Sequence, residues 1–138
     1  MKAISSENER LRVLVVDDNR DAAVLLGELI RLWGNDVRVV HDGRTAIECA
    51  QEFSPEVILL DIGLPDMNGY EVARALRDDP LMQDVLIIAI SGWGQAEDKA
   101  RGKLAGFDHH IVKPANSEEL QKLFSGVRRR GRASVAQT

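Results

Sequence analysis

The chain has a single cysteine, Cys49, among 138 residues, which excludes an intrachain disulfide and fits a reducing cytoplasm. Cys49 lies beside Ile47 and Ala50 on an amphipathic stretch and reads as a small core or boundary residue. Long apolar runs are also missing. The longest, Val85–Ile90, is far too short to span a bilayer, and the polar segment Met1–Arg12 has no apolar signal-peptide core. There is no excess of basic charge: the net charge is −4, and since Arg128, Arg129, Arg130 and Arg132 carry +4, the remainder carries −8. An acidic body argues against nucleic acid as the main ligand, and the arginine run reads as a solvated, frayed tail. Repeats, low-complexity stretches and interdomain linkers are absent. One domain is therefore expected over residues 11–127, with an N-terminal extension at 1–10 and a flexible Arg-rich tail at 128–138.

What is present is an alternation of short apolar strands with amphipathic helices. Arg12–Val16 reads as a first buried strand ending at Asp17–Asp18, with Asn19 or Asp18 placed to cap the next helix. That helix carries Ala22, Leu25, Leu26, Leu29, Ile30 and Trp33 at helical spacing and stops at Gly34. Val37–Val40 is a second strand, and Asp42–Gly43 opens a helix with Ala46, Ile47, Ala50 and Phe53 inward, ended by Pro55. Val57–Leu60, four apolar residues rich in β-branching, is a central strand buried on both faces, delivering Asp61 to a Gly/Pro turn. A helix over Asn68–Arg77 turns Val72, Ala73 and Leu76 inward.

Val85–Ile90 is a fourth strand, ending at Ser91–Gly92. Gln95–Ala105 reads as a marginally held, mobile helix with only Ala96, Ala100 and Leu104 inward, capped by Gly106. His110–Val112 is a fifth strand ending at Lys113–Pro114. Asn116 with Glu119 starts a last helix striped by Leu120, Leu123, Phe124 and Val127. Five strand–helix alternations imply an α/β fold with a parallel sheet covered on both faces; right-handed crossovers leave few arrangements, and the doubly wound order 2-1-3-4-5 suits this count. The switch point then falls between the first and third strands, where Asp17, Asp18 and Asp61 converge. Ser91 and Lys113 end the fourth and fifth strands on the same edge.

Three carboxylates on one edge repel each other and call for a cation, and hard oxygen ligands suit Mg²⁺. A metal, a lysine and a hydroxyl around one aspartate suit phosphoryl transfer, with Asp61 as nucleophile. Each residue also has a plain reading: Asp18 as a helix cap, Ser91 as a turn residue, Lys113 as a surface charge.

The runs Leu14–Asn19, Leu60–Gly69, Ser91–Gly92 and Lys113–Pro114 together resemble a response-regulator receiver domain with the chemotaxis-regulator-like, flavodoxin-like fold, over roughly Leu11 to Val127. The resemblance implies Asp61 as phosphoacceptor, Asp17 and Asp18 as the acidic metal pair, and Gly63 lending a backbone carbonyl to Mg²⁺. It implies Ser91 and Lys113 as partners of the phosphoryl group, and a cis Lys113–Pro114 bond. Ser91 and position 110 form the switch, but His110 stands where such domains commonly carry Tyr or Phe. A partly buried histidine filling that slot is the plainer reading beside a pH sensor. His41 and His109 read as surface residues.

The implied function is signalling, not enzymology beyond the domain's own phosphorylation and dephosphorylation. A histidine kinase or phosphotransfer protein would supply the phosphoryl group. A downstream protein target would meet the fourth helix, fifth strand and last helix, with no nucleic acid, no membrane, and a monomer or phosphorylation-dependent dimer. Gly92–Gly94 and Gly106–His110 resemble receivers attached to hybrid histidine kinases, so a module of a longer kinase or regulator is the alternative. An aspartate-nucleophile phosphohydrolase would need a second acid where Gly63 stands, and a flavodoxin-like binding module would need a phosphate loop where Asp17–Asn19 stands.

Overall fold

A computed structural model describes residues 10–92 and 99–137. The elements run β1 (Arg12–Val16), α1 (Arg20–Leu32), β2 (Asp36–Val40), α2 (Gly43–Phe53), β3 (Val57–Asp61), α3 (Gly69–Arg77), β4 (Leu86–Ser91), α4 (Lys99–Ala105), β5 (His109–Val112) and α5 (Ser117–Gln137), with a 3-10 turn at Pro80–Met82. All pairings are parallel and the strand order is β2-β1-β3-β4-β5, the expected one among the few that the alternation allows.

Alternation along the strands divides the core in two. Leu14, Val16, Ile58, Leu60, Ile87 and Ala89 pack on one face with Ala46, Ala50, Val72, Ala73 and Leu76 of α2 and α3. Val13, Val15, Leu59, Ile88, Ile90 and Ile111 pack on the other with Ala23, Ile30, Leu120 and Phe124 of α1 and α5. Asn19 caps α1 by accepting from Ala22 N, and Asp42 caps α2 by accepting from Thr45 N. Asn68 and Glu71 form a reciprocal capping box on α3. Gly34 and Gly106, both at positive φ, end α1 and α4.

Three helical details differ from the sequence reading. Helix α1 turns Ala23, Gly27 and Ile30 to the sheet, leaving Leu25 71% and Leu29 38% exposed. At Gly27 the approach is close: a Cβ there would lie 2.9 Å from Val39 Cγ2, so a side chain does not fit at that point. Helix α4 likewise buries Gly102 and Ala105 while Ala100 is exposed and Leu104 is 84% exposed. Ala96, in the expected first part of this helix, lies outside the described residues. Helix α5 continues to Gln137, so residues 128–137 are helical backbone where a flexible tail was expected. The Arg128 guanidinium donates to Asn35 Oδ1 at 2.8 Å.

Candidate functional site

Each site residue is the last of a strand, or one or two steps beyond its end. Asp17 and Asp18 follow β1, Asp61 closes β3, Ser91 closes β4 and Lys113 follows β5. One carboxylate oxygen from each of Asp17, Asp18 and Asp61 lies within 4.8 Å of the others. Asp17 and Asp61 are buried at 7% and 5% exposure, while Asp18 is exposed. Lys113 Nζ reaches Asp17 Oδ2 at 2.9 Å and Asp61 Oδ2 at 3.5 Å. The Lys113–Pro114 bond is cis, as the resemblance implied.

Backbone N–H groups hold the acids in place. Asn19 N donates to Asp17 Oδ1 and Gly63 N to Asp61 Oδ1, both at 3.0 Å. Burial pushes the Asp61 carboxyl up to about 6; the Gly63 N–H opposes this, Asp17 reinforces it, and Lys113 opposes it. Burial pulls the Lys113 ammonium down, but the facing Asp17 and Asp61 outweigh burial and hold its pKa above the usual value. The donor set is all oxygen, crowded and under-neutralised by one lysine, which fits a hard divalent cation.

On the other face of the sheet the chemistry is neutral. Ser91 is 1% exposed, and its Oγ lies 2.9 Å from His110 Nε2. The Ser91 carbonyl accepts from Lys113 N at 2.8 Å, so β4 and β5 hold the hydroxyl and the lysine in register.

These strand-end residues come with a family. Residues 13–125 match the family described as Response regulator receiver domain. The chain belongs to it. The receiver is 38% identical over 111 residues to the DNA-binding response regulator MtrA of Mycobacterium leprae, covering 80% of this chain and 48% of that protein. It is 36% identical over 126 residues to the transcriptional regulatory protein PrrA of Mycobacterium bovis, covering 91% and 53%. A CheY-like response regulator receiver domain protein from Methanospirillum hungatei has the same fold at TM-score 0.80 and 22% identity, covering 91% of this receiver and 98% of that chain. This receiver thus spans about half the length of the curated relatives it matches. Receiver domains are signalling modules of two-component systems rather than metabolic enzymes.

Several residues that serve the receiver site were not singled out from sequence. His41, expected at the surface, is half-buried and donates from Nδ1 to the Asp17 carbonyl at 2.9 Å, fixing the end of β1. Asp66 accepts from Gly43 N at 2.8 Å and Arg44 N at 3.0 Å, clamping the loop after Asp61 to the start of α2. Those N–H groups hold its carboxyl below the usual range. Arg77 donates to the carbonyls of Met82 and Gly106 and to Asp108 Oδ2, tying α3 to the turn before β5. An Asp directly after Gly63–Leu64–Pro65 is a turn signal that could have located Asp66. The His41 and Arg77 contacts span the sheet edge and leave no local signal.

Proposed function

We propose that this receiver accepts a phosphoryl group on Asp61 from a phosphohistidine of a histidine kinase or phosphotransfer protein, in a Mg²⁺-dependent step. The observation that carries the reading is Asp61, buried and set between an acidic pair and Lys113. Asp17, Asp18, Asp61 and the Gly63 carbonyl would hold Mg²⁺, which when bound neutralises charge on the transferring phosphoryl oxygens. An ionised Asp61 oxygen attacks phosphorus; the O–P bond forms as the N–P bond breaks, and the departing imidazole takes its proton from solvent. Lys113 gives up part of its hold on Asp61 to pair with the new phosphoryl oxygens, and the Ser91 hydroxyl donates to another.

The switch follows from these new contacts. Drawing Ser91 and Lys113 toward Asp61 shifts the population of the face made by α4, β5 and α5, where a downstream protein would dock. Intact-mass measurement tests the chemistry. A small-molecule phosphodonor should add one phosphoryl group to the wild type with Mg²⁺ and none with chelator, and none to Asp61→Asn. Phosphorylation of the Asn variant would overturn the assignment.

A further inference from the structure

Asp17 is held at each of its polar groups. Its N–H donates to the Val40 carbonyl at 3.1 Å, and its Oδ1 accepts from Asn19 N at 3.0 Å. Its Oδ2 faces Lys113 Nζ at 2.9 Å, and its carbonyl accepts from His41 Nδ1 at 2.9 Å. A carbonyl only accepts, so the His41 ring carries a proton on Nδ1 and the direction of this bond is fixed. Val40 and Asn19 act through backbone groups, and Lys113 also serves Asp61. His41 acts through a side chain, and is an anchor that a substitution removes.

The bond continues the sheet where the backbone no longer does. β1 and β2 pair from Arg12 with Asp36 to Val16 with Val40, and the chain then turns into α2 at its cap, Asp42. The His41 ring supplies the donor that a longer β2 would have offered to the Asp17 carbonyl. The turn that carries His41 is itself tied down. Gly43 N and Arg44 N donate to Asp66, in the loop that follows Asp61 and Gly63. A Cβ on Gly43 would lie 2.8 Å from Val72 Cγ2 and 3.0 Å from Met67 Sδ, so the turn sits hard against that loop and α3. Residues 41–44 thus join the end of β1 to the loop after β3, the two places that would supply cation ligands.

We propose that His41 is a positioning residue for the cation site, holding the Asp17 main chain so that its carboxylate stays beside Asp61 when no cation offsets their repulsion. The proposal rests on the cation-site part of the reading above. Without the Nδ1–H, the Asp17 peptide turns more freely and its carboxylate draws away from Asp61 in the metal-free protein. Binding of Mg²⁺ then has to restore the approach, which costs affinity. Relief of repulsion offsets part of the lost bond in the metal-free protein, and the loss is felt in full once Mg²⁺ is bound. A histidine with a structural role only would lower stability equally in both conditions.

The experiment is a calorimetric titration with Mg²⁺ at pH 8, paired with urea melts in Mg²⁺ and in chelator. His41→Leu, or His41→Ala if the first misfolds, should weaken Mg²⁺ binding about fivefold, the worth of one net hydrogen bond. Its urea midpoint should fall further below wild type with Mg²⁺ than with chelator. His41→Asn, whose amide nitrogen stands about where Nδ1 does, should return toward wild type. His109→Leu, at an exposed position on β5, should bind Mg²⁺ as the wild type does. A long-range ¹H–¹⁵N spectrum of the wild type in chelator should show the His41 proton on Nδ1. Unchanged Mg²⁺ affinity in His41→Leu, an equal midpoint drop in both conditions, no rescue by Asn, or a neutral ring protonated on Nε2 overturns the role of His41 alone. A wild type that binds no Mg²⁺ overturns the cation-site reading and this role with it.

Discussion

The two faces of the sheet arrive at the site with opposite chemistry. On the α1 and α5 side, Asp17 and Asp61 are buried against Lys113, full charges within 2.9 and 3.5 Å of the ammonium. On the α2 and α3 side, Ser91 and His110 share one hydrogen bond at 2.9 Å. The charged side is unbalanced: buried Asp17 and Asp61 share one lysine, and exposed Asp18 brings a third carboxylate within 4.8 Å of theirs. The neutral side is balanced and cheap to rearrange, because exchanging one hydrogen bond for another costs little net free energy. The charged side is thus suited to hold a cation and react, and the neutral side to move.

The largest effect should come from removing the lysine. Lys113→Met leaves Asp17 and Asp61 facing each other without compensation and should cost about 2–3 kcal/mol in a urea melt at pH 8 without Mg²⁺. At pH 5, where a proton on Asp61 relieves the repulsion, the loss should be smaller. An equal loss at both values would mean that the lysine acts through packing and not charge.

Next is the pH dependence of the metal-free protein. Asp61 titrates near 6 in the folded chain against 3.8 ordinarily, so the fold holds this proton more tightly than the unfolded chain does. Its contribution is complete below about pH 4 and is lost as pH rises through 6. Asp61→Asn should remove that decline and be more stable than wild type at pH 8 with chelator, by about 1 kcal/mol after solvent screening. Parallel stability–pH curves for the two proteins would break the comparison.

The neutral side should respond differently. Ser91→Ala should cost about 1 kcal/mol, with the same shift in urea midpoint with and without Mg²⁺. A Mg²⁺-dependent cost would place the hydroxyl on the charged side after all. The smallest effect concerns Asp66, exposed but held by two helix N–H groups. Because its carboxyl is held below the usual range, its contribution is present at neutral pH and lost as pH falls below about 3.8. Asp66→Asn should lower the melting temperature at pH 7 and converge with wild type on acidification.

Much of this comparison was legible in the sequence. Uninterrupted β-branched runs ending in Asp17, Asp61, Ser91 and Lys113 identify strands, and parallel strands carry their C-terminal ends to one edge. The count and the handedness of crossovers narrowed the strand order to a few arrangements, and the resemblance to receiver domains pointed to the one observed. The helix faces were not legible. On α1 the buried face is Ala23, Gly27 and Ile30 while Leu25 and Leu29 stay exposed, and the close approach at Gly27 that goes with this face is a property of packing. The polar fastenings were hidden for a related reason. His41 to Asp17, Asn35 to Arg128, and Arg77 to Gly106 join residues 24, 93 and 29 positions apart. The Ser91–His110 bond needed the register of β4 against β5, which places His110 beside Ala89.

The central claim is that the three acids on one edge form a single cation site. Urea melts of wild type and Asp18→Asn, each with Mg²⁺ and with chelator, test it most directly. Asp18 is exposed, so its substitution leaves the core untouched. At a hundredfold excess over its dissociation constant, Mg²⁺ should stabilise the wild type by ~2.7 kcal/mol and Asp18→Asn by much less, with the chelated variant at least as stable as chelated wild type. Equal stabilisation of both proteins by Mg²⁺, or a chelated variant less stable than chelated wild type, would contradict a shared site.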